Sequence, residues 1–176
     1  MKNHILNTFI KYMLKEVGNV QIRDLDIEKD FDSFFQVWKE VGWIEGKDND
    51  REAIKYFQEG SHSYVADIDG KVEAYVNSTP GKYQYLDEEL ELQAITAVMV
   101  SRIARKKGIA SKITAKAIAD QAVKGTHVSC LGMFEQGFYN KLGFGTGSYE
   151  NVFQIDPGHL QIDKKPATPK RISIEN

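Results

Sequence analysis

Apolar residues recur along the chain at two spacings, and segments with one spacing alternate with segments of the other. Over residues 5–17 they fall three or four positions apart, which predicts an amphipathic helix that stops at Gly18. We expect the apolar side of this helix to pack on protein, either on the same domain or on a second copy. A membrane-surface helix is the alternative, but the polar side offers too few lysines to favour it.

The rest of the chain continues this alternation of helical and strand spacing. Asp69-Gly70 lies between two β-rich runs, which is a strong hairpin signal. Strands mixed with helices in this order predict an α/β layered domain. After a short strand at Val20–Leu25, the predicted elements are helices over 27–43 and 48–60, the hairpin, a long strand ending at Val100, a helix over 109–124, a buried strand over 126–132, a short helix carrying Phe134, Phe138 and Leu142, and a last strand over 148–155.

Composition narrows the class of protein. A chain of 176 residues that is 41% apolar can bury one real core. A net charge of −2 and an isoelectric point near 6.1 argue against nucleic acid as the main partner. No apolar run approaches the roughly 18 residues that span a bilayer, so we expect no membrane partner. The single cysteine, Cys130, favours a reducing, cytoplasmic compartment.

Residues 101–111, SRIARKKGIAS, collect four cations and a glycine between a predicted strand and a predicted helix. The first N–H groups of a helix have no internal partner, and the helix dipole adds positive charge there. Gly108 would let the backbone approach a ligand without a Cβ in the way. A phosphate or pyrophosphate group fits such a turn, whereas a solvated basic loop is the competing interpretation. The glycine patterns of P-loop and dinucleotide-binding proteins are absent.

The spacing of this segment resembles a known signature. Arg105 and Gly108 match an Arg/Gln-x-x-Gly-x-Gly/Ala pattern, and Val98 and Val100 stand at its two preceding β positions. This is similar to the acetyl-coenzyme A signature of the GNAT superfamily of N-acetyltransferases. A second segment, GFYNKLGF, resembles the later aromatic helix of that superfamily, with Tyr139 at its tyrosine. The resemblance extends over roughly Val20 to Asp156.

The resemblance implies a GNAT fold, with a mixed central β-sheet and helices on both faces, and acetyl-CoA as co-substrate with no metal. Tyr139 would be the general acid that protonates the departing thiolate. On this basis we divide the chain into an N-terminal amphipathic helix at 1–18, a GNAT acetyltransferase domain at 19–156 and a polar tail at 157–176. The residues that would bind acetyl-CoA are Val98, Met99, Val100, Arg105, Lys106, Lys107, Gly108, Ile109, Ala110 and Ser111.

The general base is where the sequence departs from the superfamily pattern. Many members place a glutamate where this chain has Ala94, so Glu91 becomes the candidate base, with Glu89 and Glu135 as further options. By strand alternation Glu91 faces the side opposite to Ala94. The acidic stretch 87–91 is either a solvated hairpin end or a funnel for a cationic amine.

Three other side chains have simple interpretations. His62 and His127 are expected to be structural or exposed, and Cys130 a thiol in the core.

Segments downstream of residue 128 resemble the enhanced-intracellular-survival branch of the superfamily, and Phe134 and Glu135 fall where the coenzyme of that branch also touches the chain.

The resemblance implies an N-acetyltransferase that moves an acetyl group from acetyl-CoA to a primary amine by direct attack. The amine would belong to a small molecule or a peptide, and a homo-oligomer is possible. Two alternatives remain: a non-catalytic acyl-CoA sensor, and an interaction module that keeps only the fold.

Overall fold

The computed structural model describes residues 20–133, 135, 137–147, 151–161, 163, 165 and 167–173. The predicted N-terminal helix at 5–17 and Phe134 lie outside this set. The chain divides into two compact units, Met1–Phe144 and Gly145–Asn176, which are described separately. No helix within the described ranges is long and apolar enough to cross a bilayer.

The first unit contains a five-stranded sheet whose strands lie in chain order. Neighbouring strands are antiparallel, except that β5 runs parallel to β4, so the sheet is mixed. This order confirms the predicted succession of strands and helices as far as β5. The elements are β1 (Val20–Asp24), α1 (Ile27–Glu40), α2 (Asp48–Gln58), β2 (His62–Ile68), β3 (Lys71–Tyr85), β4 (Glu88–Val100), α3 (Ile109–Val123) and β5 (Val128–Cys130).

The predicted hairpin at Asp69-Gly70 joins β2 to β3. Both residues have positive φ, 52° and 82°, as a two-residue turn between right-twisted strands requires. The Asp67 carboxylate accepts a hydrogen bond of 2.8 Å from the Gly70 N–H. The turn therefore has the backbone that an Asp-Gly pair favours.

Helices cover both faces of the sheet, and each face has its own core. We call the face under α1 and α2 the helix-pair face and the opposite one the α3 face. This arrangement confirms the expected α/β layering. The helix-pair face buries Phe34, Phe35, Val37, Trp38 and Ile54 on Val65, Val72, Tyr75 and Met99. The α3 face buries Ile109, Ile113 and Ala117 on Tyr64, Ala66, Ala74, Val76 and Ile95, with Ala104 beside them.

Two predicted segments differ from the structure. The buried strand over 126–132 shortens to the three residues of β5, and its last residue, Cys130, is exposed, so the prediction of a core thiol is wrong. The short aromatic helix is a 3₁₀ turn, Tyr139–Leu142, because Gly137 and Gly143 on either side adopt positive φ.

The second unit is largely without regular structure over the residues described. Residues 151–155 belong to no strand, so the prediction of a last strand is wrong there. A 3₁₀ turn follows at Pro157–His159, capped by the Asp156 carboxylate, which accepts a hydrogen bond from the Gly158 N–H. Strand formation needs a partner to complete its backbone hydrogen bonds, and the pairing recorded for the described residues gives this segment none.

Candidate active site

Strand β4 contains a bulge that divides it into two parts. Thr96 pairs with Asn77 and Met99 with Tyr75, so Ala97 and Val98 together face the single residue left between those pairs. Ala97 has a φ of 49°, which is unusual for a residue with a Cβ. A bulge of this kind bends a strand and re-aims the side chains beyond it.

Beyond the middle of β4, one edge of the strand is open. The pairing with β5 covers three residue pairs, from Leu92 with Val128 to Ala94 with Cys130. From Ile95 to Val100, that edge has no strand partner among the residues described. An extended ligand can pair with such an edge in the way an added strand does. Val98, Met99 and Val100, the predicted binding residues on β4, lie along this open part.

The strand then enters the basic turn. Ser101 donates its N–H to the Glu73 carbonyl at 2.8 Å, and a 3₁₀ turn follows at Arg102–Ala104. Lys106 and Gly108 both have positive φ, 62° and 72°, and Gly108 caps α3. A Cβ added at Gly108 would meet no atom within 4 Å. The backbone at this glycine therefore borders open space.

The turn presents a run of unpaired donors. Lys112 is the first residue of α3 whose N–H has an acceptor. It donates to the Gly108 carbonyl at 3.2 Å. For the seven preceding N–H groups, from Arg105 to Ser111, the part of the chain that is described offers no acceptor. These donors lie where the helix dipole is positive, so their arrangement suits an anion.

Tyr139 follows β5 and begins the 3₁₀ turn at Tyr139–Leu142. Its half-buried ring meets Phe138 and Phe144 edge to face, at centroid distances of 4.9 and 6.0 Å. Phe144 packs on the α3-face core together with Val98 and Val100. Burial, and then the nearby charge of Glu135, raise the pKa of Tyr139 above its usual value. The hydroxyl is therefore protonated at neutral pH, and no acceptor for it is found among the described residues.

The structure does not place Glu91 near Val100 and the basic turn. It lies nine positions before Val100, roughly 30 Å along an extended strand, and on the α3 face. Its carboxylate is bonded to Lys82 on β3, which also pairs with Glu89 at 3.2 Å. The role of Glu91 as base stays a prediction. The pairing of these carboxylates with Lys82 favours a solvated hairpin end over a funnel for cations.

The two histidines have structural contacts, in line with the sequence. His62 lies 3.2 Å from the Asp24 carboxylate. His127 donates its N–H to the Glu91 carbonyl at 2.9 Å, which joins the start of β5 to β4.

Sequence reasoning missed a polar network on the helix-pair face. Asn77 is fully buried, and its side-chain amide donates to the hydroxyls of Thr79 and Thr96 at 3.2 and 3.3 Å. Its carbonyl accepts from the Ser63 hydroxyl at 2.8 Å. The available signal was the polar residues at positions 77 and 79, which continue the inward-facing alternation of Tyr75 along β3.

Comparison with known proteins identifies the family. A model of the acetyltransferase (GNAT) domain matches residues 21–147, which include the bulge, the basic turn and Tyr139. The chain belongs to the GNAT acetyltransferase family. By this membership it is an acyltransferase. A search of curated proteins found no match.

Solved structures confirm the GNAT fold. An acetyltransferase from Trypanosoma brucei has 17% identity and a TM-score of 0.64, over 78% of this chain and all of the other. Glucosamine-6-phosphate N-acetyltransferase from Arabidopsis thaliana has 20% identity and a TM-score of 0.62, over 78% and 99%. A predicted acetyltransferase from Clostridium acetobutylicum, solved with acetyl-CoA, has 19% identity and a TM-score of 0.60, over 77% and 96%. At these identities the similarity shows the fold alone.

Proposed function

We propose that this GNAT protein transfers an acetyl group from acetyl-CoA to a primary amine by direct attack. The observation that carries the proposal is the run of seven unpaired N–H groups at residues 105–111, directly after the open edge of β4. Pyrophosphate oxygens are acceptors for such donors, and Gly108 leaves room for them because it has no Cβ. The residues present therefore fit the coenzyme.

Each part of the site has a separate task. When bound, acetyl-CoA supplies an activated acetyl group, whose carbon bonds to the amine nitrogen as its bond to sulfur breaks. Residues 105–111 bind the pyrophosphate, and the backbone of Val98–Val100 pairs with the extended arm of the coenzyme. Tyr139 donates its hydroxyl proton to the departing sulfur. The proton lost by the amine goes to a base. Glu91 is our candidate. It lies on the α3 face and several residues before the bulge, so a chain of waters would have to carry the proton to it.

The finer assignments are part of the same proposal. The acceptor is a small-molecule or peptide amine, and the catalytic domain spans residues 19–156 between the helix at 1–18 and the tail at 157–176. The similarity to the enhanced-intracellular-survival branch rests on the sequence segments alone. An acyl-CoA sensor without catalysis is the second candidate, because Ala94 stands where many members carry a base.

Calorimetry with acetyl-CoA, followed by thiol release with a panel of polyamines, aminoglycosides and lysine peptides, tests this proposal. We expect acetyl-CoA to bind and at least one amine to accelerate thiol release. Binding without release for any amine would support the sensor, and no binding at all would leave only the fold. Tyr139→Phe serves as a control, because it should bind acetyl-CoA like the parent and release thiol slowly.

A further inference from the structure

The β3–β4 hairpin extends beyond the rest of the sheet. Strand β2 begins opposite Ser78 and β5 pairs only with Leu92–Ala94, so residues 82–91 form a two-stranded ribbon past the other strands. Tyr83 and Tyr85 on this ribbon are 44% and 56% exposed, so the helices leave them uncovered. From the tip to the bulge, the register places Tyr85, Tyr83, Gly81, Thr79 and Asn77 on the helix-pair face, opposite Glu88, Leu90, Leu92, Ala94 and Thr96.

The two faces of the ribbon differ in charge. Lys82, Glu89 and Glu91 lie on the α3 face, where they form ion pairs with one another. Of the ten positions on the helix-pair face, only Glu88 at the tip is charged. An uncharged path of aromatic, aliphatic and hydroxyl groups therefore leads from the tip to the bulge.

At the bulge, the path ends at the hydroxyl of Thr96, which a hydrogen bond holds in place. Thr96 accepts a hydrogen bond from the amide of Asn77, which is itself held by Ser63. The Thr96 O–H proton and its second lone pair have no partner among the residues described. Thr96 directly precedes the bulge residue Ala97, at the start of the segment that we assign to the coenzyme. The hydroxyl is therefore oriented by the protein and still free to bind a ligand.

We propose, on the basis of the function proposed above, that the acceptor binds along this face with its amine nitrogen at the Thr96 hydroxyl. The acceptor is a primary amine carried on an uncharged body that contains a ring. The rings of Tyr83 and Tyr85 offer flat surfaces on which another ring stacks. Any further ammonium group on the acceptor would lose hydration when it binds. Between the tip and the bulge this face has no carboxylate to compensate for that loss. Thr96 is a positioning residue, which orients the nitrogen toward the open edge of β4.

Substitution of Thr96 tests the contact. Thr96→Val keeps the shape and removes the hydroxyl, and with 2-phenylethylamine as acceptor we expect kcat/KM to fall roughly three- to tenfold, the effect of one hydrogen bond. The dissociation constant for acetyl-CoA should not change. Thr114→Val is the matched control, because Thr114 is a buried threonine of α3 whose hydroxyl also lacks a partner in the described structure. An equal loss of kcat/KM in both variants, or no loss in Thr96→Val, would overturn the contact.

The choice of acceptor tests the uncharged face. We expect the parent to prefer 2-phenylethylamine to spermidine, and Leu90→Glu to reverse or narrow that preference by adding a carboxylate to the face. A parent enzyme that prefers spermidine would contradict the proposal.

Binding of 2-phenylethylamine to the protein saturated with coenzyme A separates this inference from the function. Binding that weakens in Thr96→Val, without any turnover, would support the acceptor site and overturn the transfer reaction. Turnover of 2-phenylethylamine that does not depend on Thr96 would support the reaction and overturn the site.

Discussion

Two polar networks lie back to back across strands β3 and β4, and they end at different places in the sheet. On the α3 face, the Ser78 hydroxyl donates to Gln93 at 2.7 Å, and Gln93 donates to Ser129 at 2.6 Å. Gln93 is 2% exposed, and this network links three neighbouring strands under the helix. On the helix-pair face, the network through Asn77 ends at Thr96, directly before the bulge and on the part of β4 whose edge is open.

The difference separates polar groups that hold the fold together from those that are available to a ligand. Buried polar groups are usually hydrogen-bonded, and the Gln93 amide finds its partners in hydroxyls of the two neighbouring strands. Among the groups without a partner in the described structure are those that we assign to the coenzyme and the acceptor: the N–H groups of residues 105–111, the Tyr139 hydroxyl and the Thr96 hydroxyl proton. Changes to these groups should alter function more than stability, and changes to the network through Gln93 should do the opposite.

The largest effect is expected at Tyr139. Tyr139→Phe keeps the ring and removes the proton donor, so turnover should fall roughly ten- to a thousandfold. The melting temperature and the affinity for acetyl-CoA should stay near those of the parent. Steady-state kinetics and calorimetry measure these quantities, with Tyr56→Phe on the exposed side of α2 as the control. Parental turnover in Tyr139→Phe would show that the thiolate takes its proton elsewhere.

A smaller effect is expected at Gly108, and it should appear in binding. Valine at a φ of 72° strains the backbone by about 1–3 kcal/mol and places side-chain atoms in the open space beside the donors. The affinity for acetyl-CoA should therefore fall about tenfold or more in Gly108→Val, as measured by calorimetry. Lys107→Ala removes one exposed charge and should cost less. If the two variants bind equally well, the backbone does not carry the interaction.

The network through Gln93 should respond in stability alone. Gln93→Leu leaves the hydroxyls of Ser78 and Ser129 without their partner, so the free energy of unfolding should drop by about 1–3 kcal/mol. Urea denaturation measures the loss, and kcat per folded molecule should be unchanged. Thr96→Val should lower stability less than this. The reverse order of stability would remove the distinction between the two networks.

The smallest effect concerns alkaline pH. Burial raises the pKa of Tyr64 and of Tyr75 to about 12, one on each face of the sheet. Between the unfolded pKa near 10 and the folded value, the native protein binds more protons than the unfolded chain, so stability should fall as pH rises from 10 to 12. Burial also raises the pKa of Tyr139, so its role as acid should extend further into alkaline pH than that of an ordinary tyrosine. Melting curves across this range would contradict the account if they stay flat.

The sequence predicts local features well and non-local ones poorly. The basic turn and the Asp-Gly hairpin depend on neighbouring residues, so their spacing alone predicts them. The exposure of Cys130 depends on where β5 stops pairing with β4, and the contact of Asn77 with Thr96 joins two strands. Neither is encoded in a short stretch of sequence. Glu91 illustrates the same limit, because its pairing with Lys82 across the ribbon follows from register.

Product analysis tests the central claim, acetyl transfer to an amine, most directly. The protein is mixed with acetyl-CoA and 2-phenylethylamine, and mass spectrometry follows the amine while a thiol reagent follows free coenzyme A. The account predicts an acetylated amine that accumulates in step with coenzyme A, one for one, and accumulates much more slowly with Tyr139→Phe. Coenzyme A released without acetylated amine in the parent would contradict it.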